Sequence, residues 1–172
     1  RLATDGNVEA ITGHADQGGG IHTVIQRAVA ATMTIPLERV RVRYGTTAEA
    51  PRDPGAGGSH STTMNGHAAI DGSLTLRGKL EELAAEVMGW PAGKVRLEHD
   101  EFVVFGAESR IVERAPYAEV AAKIAPGPVV EAVGIYDPRT TTLTTEPTTI
   151  SSPTWSRSRS TRTPARSIRS RS

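Results

Sequence analysis

Two glycine-rich turns constrain this chain more than any other feature. The first runs His14-Ala15-Asp16-Gln17-Gly18-Gly19-Gly20-Ile21-His22-Thr23 and the second Asp53-Pro54-Gly55-Ala56-Gly57-Gly58-Ser59-His60-Ser61-Thr62; each leads directly into an apolar, helix-patterned stretch. A helix start leaves backbone N–H groups unpaired at the positive end of the helix dipole, and glycines ahead of it let an anion reach the main chain with no Cβ in the way. Two such starts in one chain imply one large anion held from two sides.

The rest of the pattern supplies the scaffold. Asn7 to Thr12 reads as a strand entering the first turn, and Ile21, Val24, Ile25, Ala28 and Val29 give Ile21 to Met33 the spacing of a buried helix. Ile35-Pro36-Leu37 ends that helix, after which Val40 to Tyr44 alternates apolar and basic residues as a half-exposed strand. A long helix is expected from about Thr62 to Met88, with Leu74, Leu80, Leu83, Ala84 and Val87 on its inner face and Glu81, Glu82 and Glu86 on a solvated one. Gly66, Gly72 and Gly78 recur inside it; each costs roughly 1 kcal/mol relative to alanine, which implies close backbone packing or a bend. Lys94 to Glu98, Glu101 to Phe105 and Ser109 to Val112 read as strands, Pro116 to Ile124 as a short helix, and Val129 to Tyr136 as a closing strand. Trp90 beside Pro91 reads as a packing plug. The expected fold class is α+β: a mixed sheet with two main helices, followed by a disordered tail.

Composition narrows the chemistry. The 172 residues are 37% hydrophobic and 4% aromatic, enough for one modest core. With no cysteine, the chain itself offers neither disulfides nor thiolate ligands for zinc or an iron–sulfur cluster. His14, His22, His60 and His67 lie near the turns but without tight spacing, the pattern of polar or core residues rather than of metal ligands. There is no apolar run of membrane-spanning length and no signal-like start, so a cytoplasmic location is expected; a start at Arg1 is expected to be a cut end. Seven of the 20 Lys+Arg lie after Asp137 against the single acid Glu146, leaving an acidic body, residues 1–137, joined to a basic Thr/Ser/Arg tail, residues 138–172.

The order of Asp16-Gln17, Gly18-Gly19-Gly20-Ile21-His22-Thr23, Ile35-Pro36-Leu37-Glu38-Arg39-Val40, Ala50-Pro51, Gly57-Gly58-Ser59-His60-Ser61-Thr62, Gly66 and an Ala-rich helix resembles the molybdopterin-binding large subunit of the xanthine dehydrogenase and aldehyde oxidase family, over about Asn7 to Asp137. The resemblance implies a molybdenum ion held by the dithiolene of a pterin, often extended to a cytosine dinucleotide, that hydroxylates an aldehyde or heterocycle with oxygen from water. It implies as partners the remainder of the molybdenum subunit, together with iron–sulfur and FAD subunits or domains. Carried over, the family's Gly-Gln-Gly turn falls on Gly18, Gly19 and Gly20, with N–H groups toward the pterin or its phosphates. Gly57, Gly58 and Ser59 match the loop approaching the metal centre, with Ser61 and Thr62 beside it. Gly19 stands where the family has a glutamine; Gln17 is not expected to replace it, and the loss amounts to one hydrogen bond on the order of 1 kcal/mol. The family's catalytic glutamate lies in a Gly-x-Gly-Glu segment that this sequence does not contain, so no catalytic residue is assigned and no protein ligand to the metal is expected.

Three readings of function follow. The chain is a piece of a molybdenum hydroxylase, inactive alone; or a cofactor-binding or assembly module without turnover; or a nucleic-acid binder acting through the Arg/Ser tail, the least favoured of the three. Plain flexible loops at the two turns, with Ser61 or Thr62 as an ordinary N-cap, are the structural alternative. For the tail itself a frameshift is expected: with AGG and TCG codons, a shift of one base turns the Arg-Ser run at Arg157 to Ser160 into an alternating Glu-Val strand. A body built to meet a cofactor and further chain is expected to expose apolar surface.

Overall fold

The computed structural model describes residues 1–51, 53, 55–57 and 60–139. Gly58, Ser59 and residues 140–172 of the tail, with the Arg-Ser run and the frameshift expected there, lie outside the described residues.

The chain opens with a strand–helix–strand unit, β1 (Val8–Thr12), α1 (Ile21–Met33) and β2 (Val40–Tyr44). β1 and β2 pair in parallel, Val8 opposite Val40 through Thr12 opposite Tyr44, and a parallel pair needs a crossover of α1's length. Ile21, Ile25, Val29 and Met33 form the buried stripe of α1 at the four-residue spacing of one helix face. Thr34 ends the helix in a left-handed conformation, φ 53°, and its N–H returns to the carbonyls of Ala30 and Ala31.

Across α1 lies α2 (Ser61–Met88), 28 residues long. Its buried residues are Ser73, Leu76, Leu80, Ala84 and Ala85, so full burial begins near the middle of the helix. The inner face expected from the sequence is corrected at two places: Leu74 is 56% exposed, because it sits two residues from Leu76 and so points the other way, and Val87 faces outward near the helix end. Glu81 is also not solvated. It accepts hydrogen bonds from the Leu97 N–H at 2.9 Å and from Arg77 Nε at 3.0 Å, whereas Glu82 and Glu86 are exposed. Of the three helix glycines only Gly72 is closely packed: a Cβ there would stand 2.9 Å from Gly134 N, while at Gly78 it would meet nothing within 4 Å.

A separate antiparallel sheet follows, β3 (Val95–Glu98), β4 (Glu101–Phe105) and β5 (Ile111–Pro116), in the order β3-β4-β5. β5 begins later than the expected Ser109, because Glu108 and Ser109 have φ of 55° and 57° and belong to a turn closed by the Gly106 N–H to the Arg110 carbonyl. Short α3 (Tyr117–Ile124) then packs on α2 and on the sheet. Phe102 and Tyr117 are fully buried and stack at 5.9 Å, with the Arg39 guanidinium 5.3 Å above the Tyr117 ring and paired with both oxygens of Asp100. The Tyr117 hydroxyl has no hydrogen-bond partner, and burial pushes its phenol above the usual tyrosine range. Trp90 packs half-buried against the core, with its indole N–H donated to Glu113.

Residues 129–136, expected to be a strand, join no ladder. They lie against α2, a neighbour whose backbone groups are already paired within the helix, and are tied by the Leu2 N–H to the Val130 carbonyl and the Ile135 N–H to Asp71. At Gly134 the two backbones touch; any Cβ there would overlap the Ala68 carbonyl oxygen. Val133 and Ile135 remain largely exposed, as does Leu74 on α2.

Candidate functional site

The two glycine turns meet. A cleft of about 210 Å³ is lined by His14, Ala15, Gln17, Gly19 and Ile21 from the first turn and by Ala56, Ser61 and Thr62 from the second. Its walls follow from the fold: the first turn joins β1 to α1, the second precedes α2, and the two helices pack side by side.

Neither α1 nor α2 has a side-chain hydrogen bond from its N-cap residue or an acidic residue in its first turn. The N-cap of α2 is His60, rather than the Ser61 or Thr62 of the ordinary reading, and these two become its first helical residues. An added Cβ at Gly18, Gly19, Gly20, Gly55 or Gly57 would meet no protein atom within 4 Å, so the main chain of both turns faces open space. Gly18, Gly20 and Gly55 also have φ of 89°, 71° and 86°, a conformation that favours glycine.

The amides are not all idle. One carboxylate oxygen of Asp16 accepts the Gly18 and Gly20 N–H groups, each at 3.1 Å, closing the first turn upon itself. In the second turn Asp53 Oδ1 accepts the Gly55 N–H at 2.7 Å, and the Gly57 carbonyl accepts His60 Nδ1–H at 2.6 Å. Gln17, expected not to stand in for the family glutamine, lines the cleft beside Gly19 and brings a carboxamide residue to the same opening.

Of the residues assigned from sequence, Gly19, Ser61 and Thr62 line the cleft, Gly18 and Gly20 flank it through Asp16, and Gly57 stands exposed at the second turn. Sequence reasoning missed Asp16, Ala56 and the buried pair His14 and Asp53. Aspartates two residues ahead of Gly18 and Gly55 carried a readable signal, since an aspartate side chain closes a turn on the backbone two residues on. Two other cavities, about 230 Å³ and 500 Å³, run along α2 and the segment after α3, and neither is lined by an assigned residue. Among the described residues no three His, Asp or Glu side chains are grouped to hold a metal, and no helix is long and apolar enough to cross a membrane.

The chain is similar to known proteins. The molybdopterin cofactor-binding domain family matches residues 1–156, past the change of composition after Asp137. The carbon monoxide dehydrogenase large chain of Hydrogenophaga pseudoflava is 31% identical over 143 residues, 80% of this chain and 18% of that protein. The probable hypoxanthine oxidase XdhD of Escherichia coli K12 is 34% identical over 97 residues, 56% of this chain and 10% of that one. The solved CO dehydrogenase from Oligotropha carboxidovorans superposes with a TM-score of 0.66 at 28% identity, again over 80% of this chain and 18% of its own. The chain thus spans less than a fifth of the length of these relatives. With the family match covering most of its length and the glycine turns brought to one cleft, the chain belongs to the molybdopterin cofactor-binding domain family of the xanthine dehydrogenase and aldehyde oxidase type.

Proposed function

We propose that the chain is the part of a molybdenum hydroxylase that cradles the pterin cofactor with backbone groups from both glycine turns. The observation that carries this reading is the convergence on one cleft of two helix starts without acidic first turns and of the open glycine backbones ahead of them. At about 210 Å³ the cleft is smaller than the roughly 300–1,000 Å³ of pockets that enclose a whole small molecule, so it suits one wall of a site rather than the whole of it.

The residues fit an anionic, polar cofactor. Gly18, Gly19, Gly20 and Gly57, with Gly58 and Ser59 between Gly57 and α2, would admit the ligand to the main chain; Ser61 and Thr62 would add hydroxyl and amide groups, and Gln17 a carboxamide. When bound, molybdenum–pterin supplies the oxygen-transfer and two-electron chemistry of hydroxylation. The chain's own share is to bind and orient. We assign it no catalytic base, since the sequence holds no Gly-x-Gly-Glu segment, and expect it to be inactive alone. The remainder of the subunit, with iron–sulfur and FAD partners, would supply the base, the substrate channel and the electron exit; a cysteine-free chain leaves any cluster to them. The group held there would be the pterin itself or its cytosine dinucleotide.

The test is to produce the full chain in a host that makes molybdopterin and to measure molybdenum and pterin in the purified protein. Wild type should retain both without dehydrogenase activity. Gly19→Leu, which places a side chain in the opening without backbone strain, should lose both. Equal retention by the two proteins would refute the assignment, and turnover by wild type would refute the non-catalytic part of it.

A further inference from the structure

The two turns are joined through one buried side chain. His14 is 4% exposed, and its Nδ1 lies 2.9 Å from Asp53 Oδ1, 39 residues along the chain. Since an ionised carboxylate only accepts, Nδ1 carries the proton. The same Asp53 oxygen takes the Gly55 N–H at 2.7 Å, so one atom holds both the histidine of the first turn and the backbone of the second.

His14 is fixed on its other sides as well. Its N–H is donated to Thr12 Oγ1 at 3.1 Å, at the end of β1, and its carbonyl accepts His22 Nε2–H at 3.0 Å, from the first turn of α1. Next to it, a Cβ on Gly13 would stand 3.1 Å from the Pro51 carbonyl and 3.3 Å from Asp53 Cβ, so the two loops are in direct contact at their base. Beyond that base, residues 15–19 and 55–57 are exposed. Among the described residues His14–Asp53 is the one side-chain hydrogen bond between the turns.

We propose that the His14–Asp53 pair is the positioning element of the cleft: it latches the second glycine turn to the first and sets the distance at which their backbones face one another. Asp53 does not line the cleft, and His14 reaches it only at its base; as a pair they act through Gly55 and through the start of α1. The consequence for cofactor retention rests on the reading given under Proposed function, whereas the latch itself does not.

Asp53→Ala is the informative change, because Asp53 is only partly buried and its loss leaves the packing of His14 in place; Asp53→Asn is the conservative control, since its amide oxygen still accepts. In the full chain, Asp53→Ala should speed amide hydrogen exchange about tenfold or more at residues 55–57 and also at 18–21, with β3–β5 and α3 unchanged. The ¹⁵N signature of the His14 ring should lose its Nδ1–H form, and Asp53→Asn should recover most of both effects. Acceleration confined to 53–57 would mean that Asp53 closes only its own turn, and would overturn the proposal, as would an unaltered His14 tautomer. In protein from a molybdopterin-producing host, Asp53→Ala should retain at most about a tenth of the wild-type pterin. Equal retention would overturn the positioning role while leaving the cofactor reading intact. Absence of pterin from wild type would overturn the cofactor reading, and exchange with the tautomer signature would still decide the latch.

Discussion

Replacing Gly72 and Gly78 separately by alanine tests the contact between α2 and residues 129–136. Both glycines sit inside α2 with no positive φ, so each substitution brings the same propensity gain of about 1 kcal/mol. At Gly78 the new Cβ meets nothing within 4 Å, and the gain should be realised in full. At Gly72 it would stand 2.9 Å from Gly134 N and 3.0 Å from its Cα, which are backbone atoms that cannot rotate aside. Overpacking of this kind costs about 1–3 kcal/mol, so Gly72→Ala should be net destabilising by about 1 kcal/mol. The two variants should therefore differ by about 2 kcal/mol, a separation of roughly 1 M in urea midpoint for a slope of about 2 kcal/mol/M. Exchange of the Ile135 N–H, donated to Asp71 at 3.0 Å, should accelerate in Gly72→Ala alone. If both variants are stabilised equally, the backbones are not in contact and the account of this segment is wrong.

Other outcomes follow from single groups. Tyr117→Phe removes a buried hydroxyl that has no partner and should raise stability by about 1 kcal/mol, or roughly 3 °C in Tm; a loss would mean that the hydroxyl is satisfied in solution. Glu81→Ala should cost about 2 kcal/mol by leaving the Leu97 N–H and the Arg77 Nε–H without their acceptor, whereas Glu82→Ala should stay within about 0.5 kcal/mol; equal effects in chemical denaturation would contradict the burial of Glu81. Arg43, then the N–H and hydroxyl of Thr46, hold the Glu49 carboxyl down at about 2 from 4.5. A carboxyl lowered on folding contributes stability that is fully present above pH 4.5 and is lost as pH falls toward about 2; Glu49→Gln should flatten the stability profile in that window and nowhere else.

The first half of the fold was legible because glycine and proline punctuate it. Ile21–Met33 and Val40–Tyr44 fall where the glycine turn, the apolar spacing and Pro36 put them. The start of α2 was nearly so, displaced to Ser61 because the cap is His60 and not a hydroxyl residue. What the sequence hid depends on distant partners. Nothing in residues 129–136 tells an extended segment that meets a strand from one that meets a helix, and an exposed-looking Glu81 became half-buried only because β3 brings Leu97 beside it. At the site, the likeness of the two turns led to the expectation that they meet, and their adjacency follows from packing α1 on α2. The His14–Asp53 contact across 39 residues was beyond reach, since pairing two polar residues so far apart needs the coordinates of both loops.

Asp16 has a consequence for how the first turn trades partners. With its carboxylate already on the Gly18 and Gly20 amides, those donors are taken, so under the proposed cofactor reading an incoming phosphate would have to displace a tethered rival instead of filling a vacancy. Loading there would exchange one negative group for another, and its driving force would be the difference between two similar bonds.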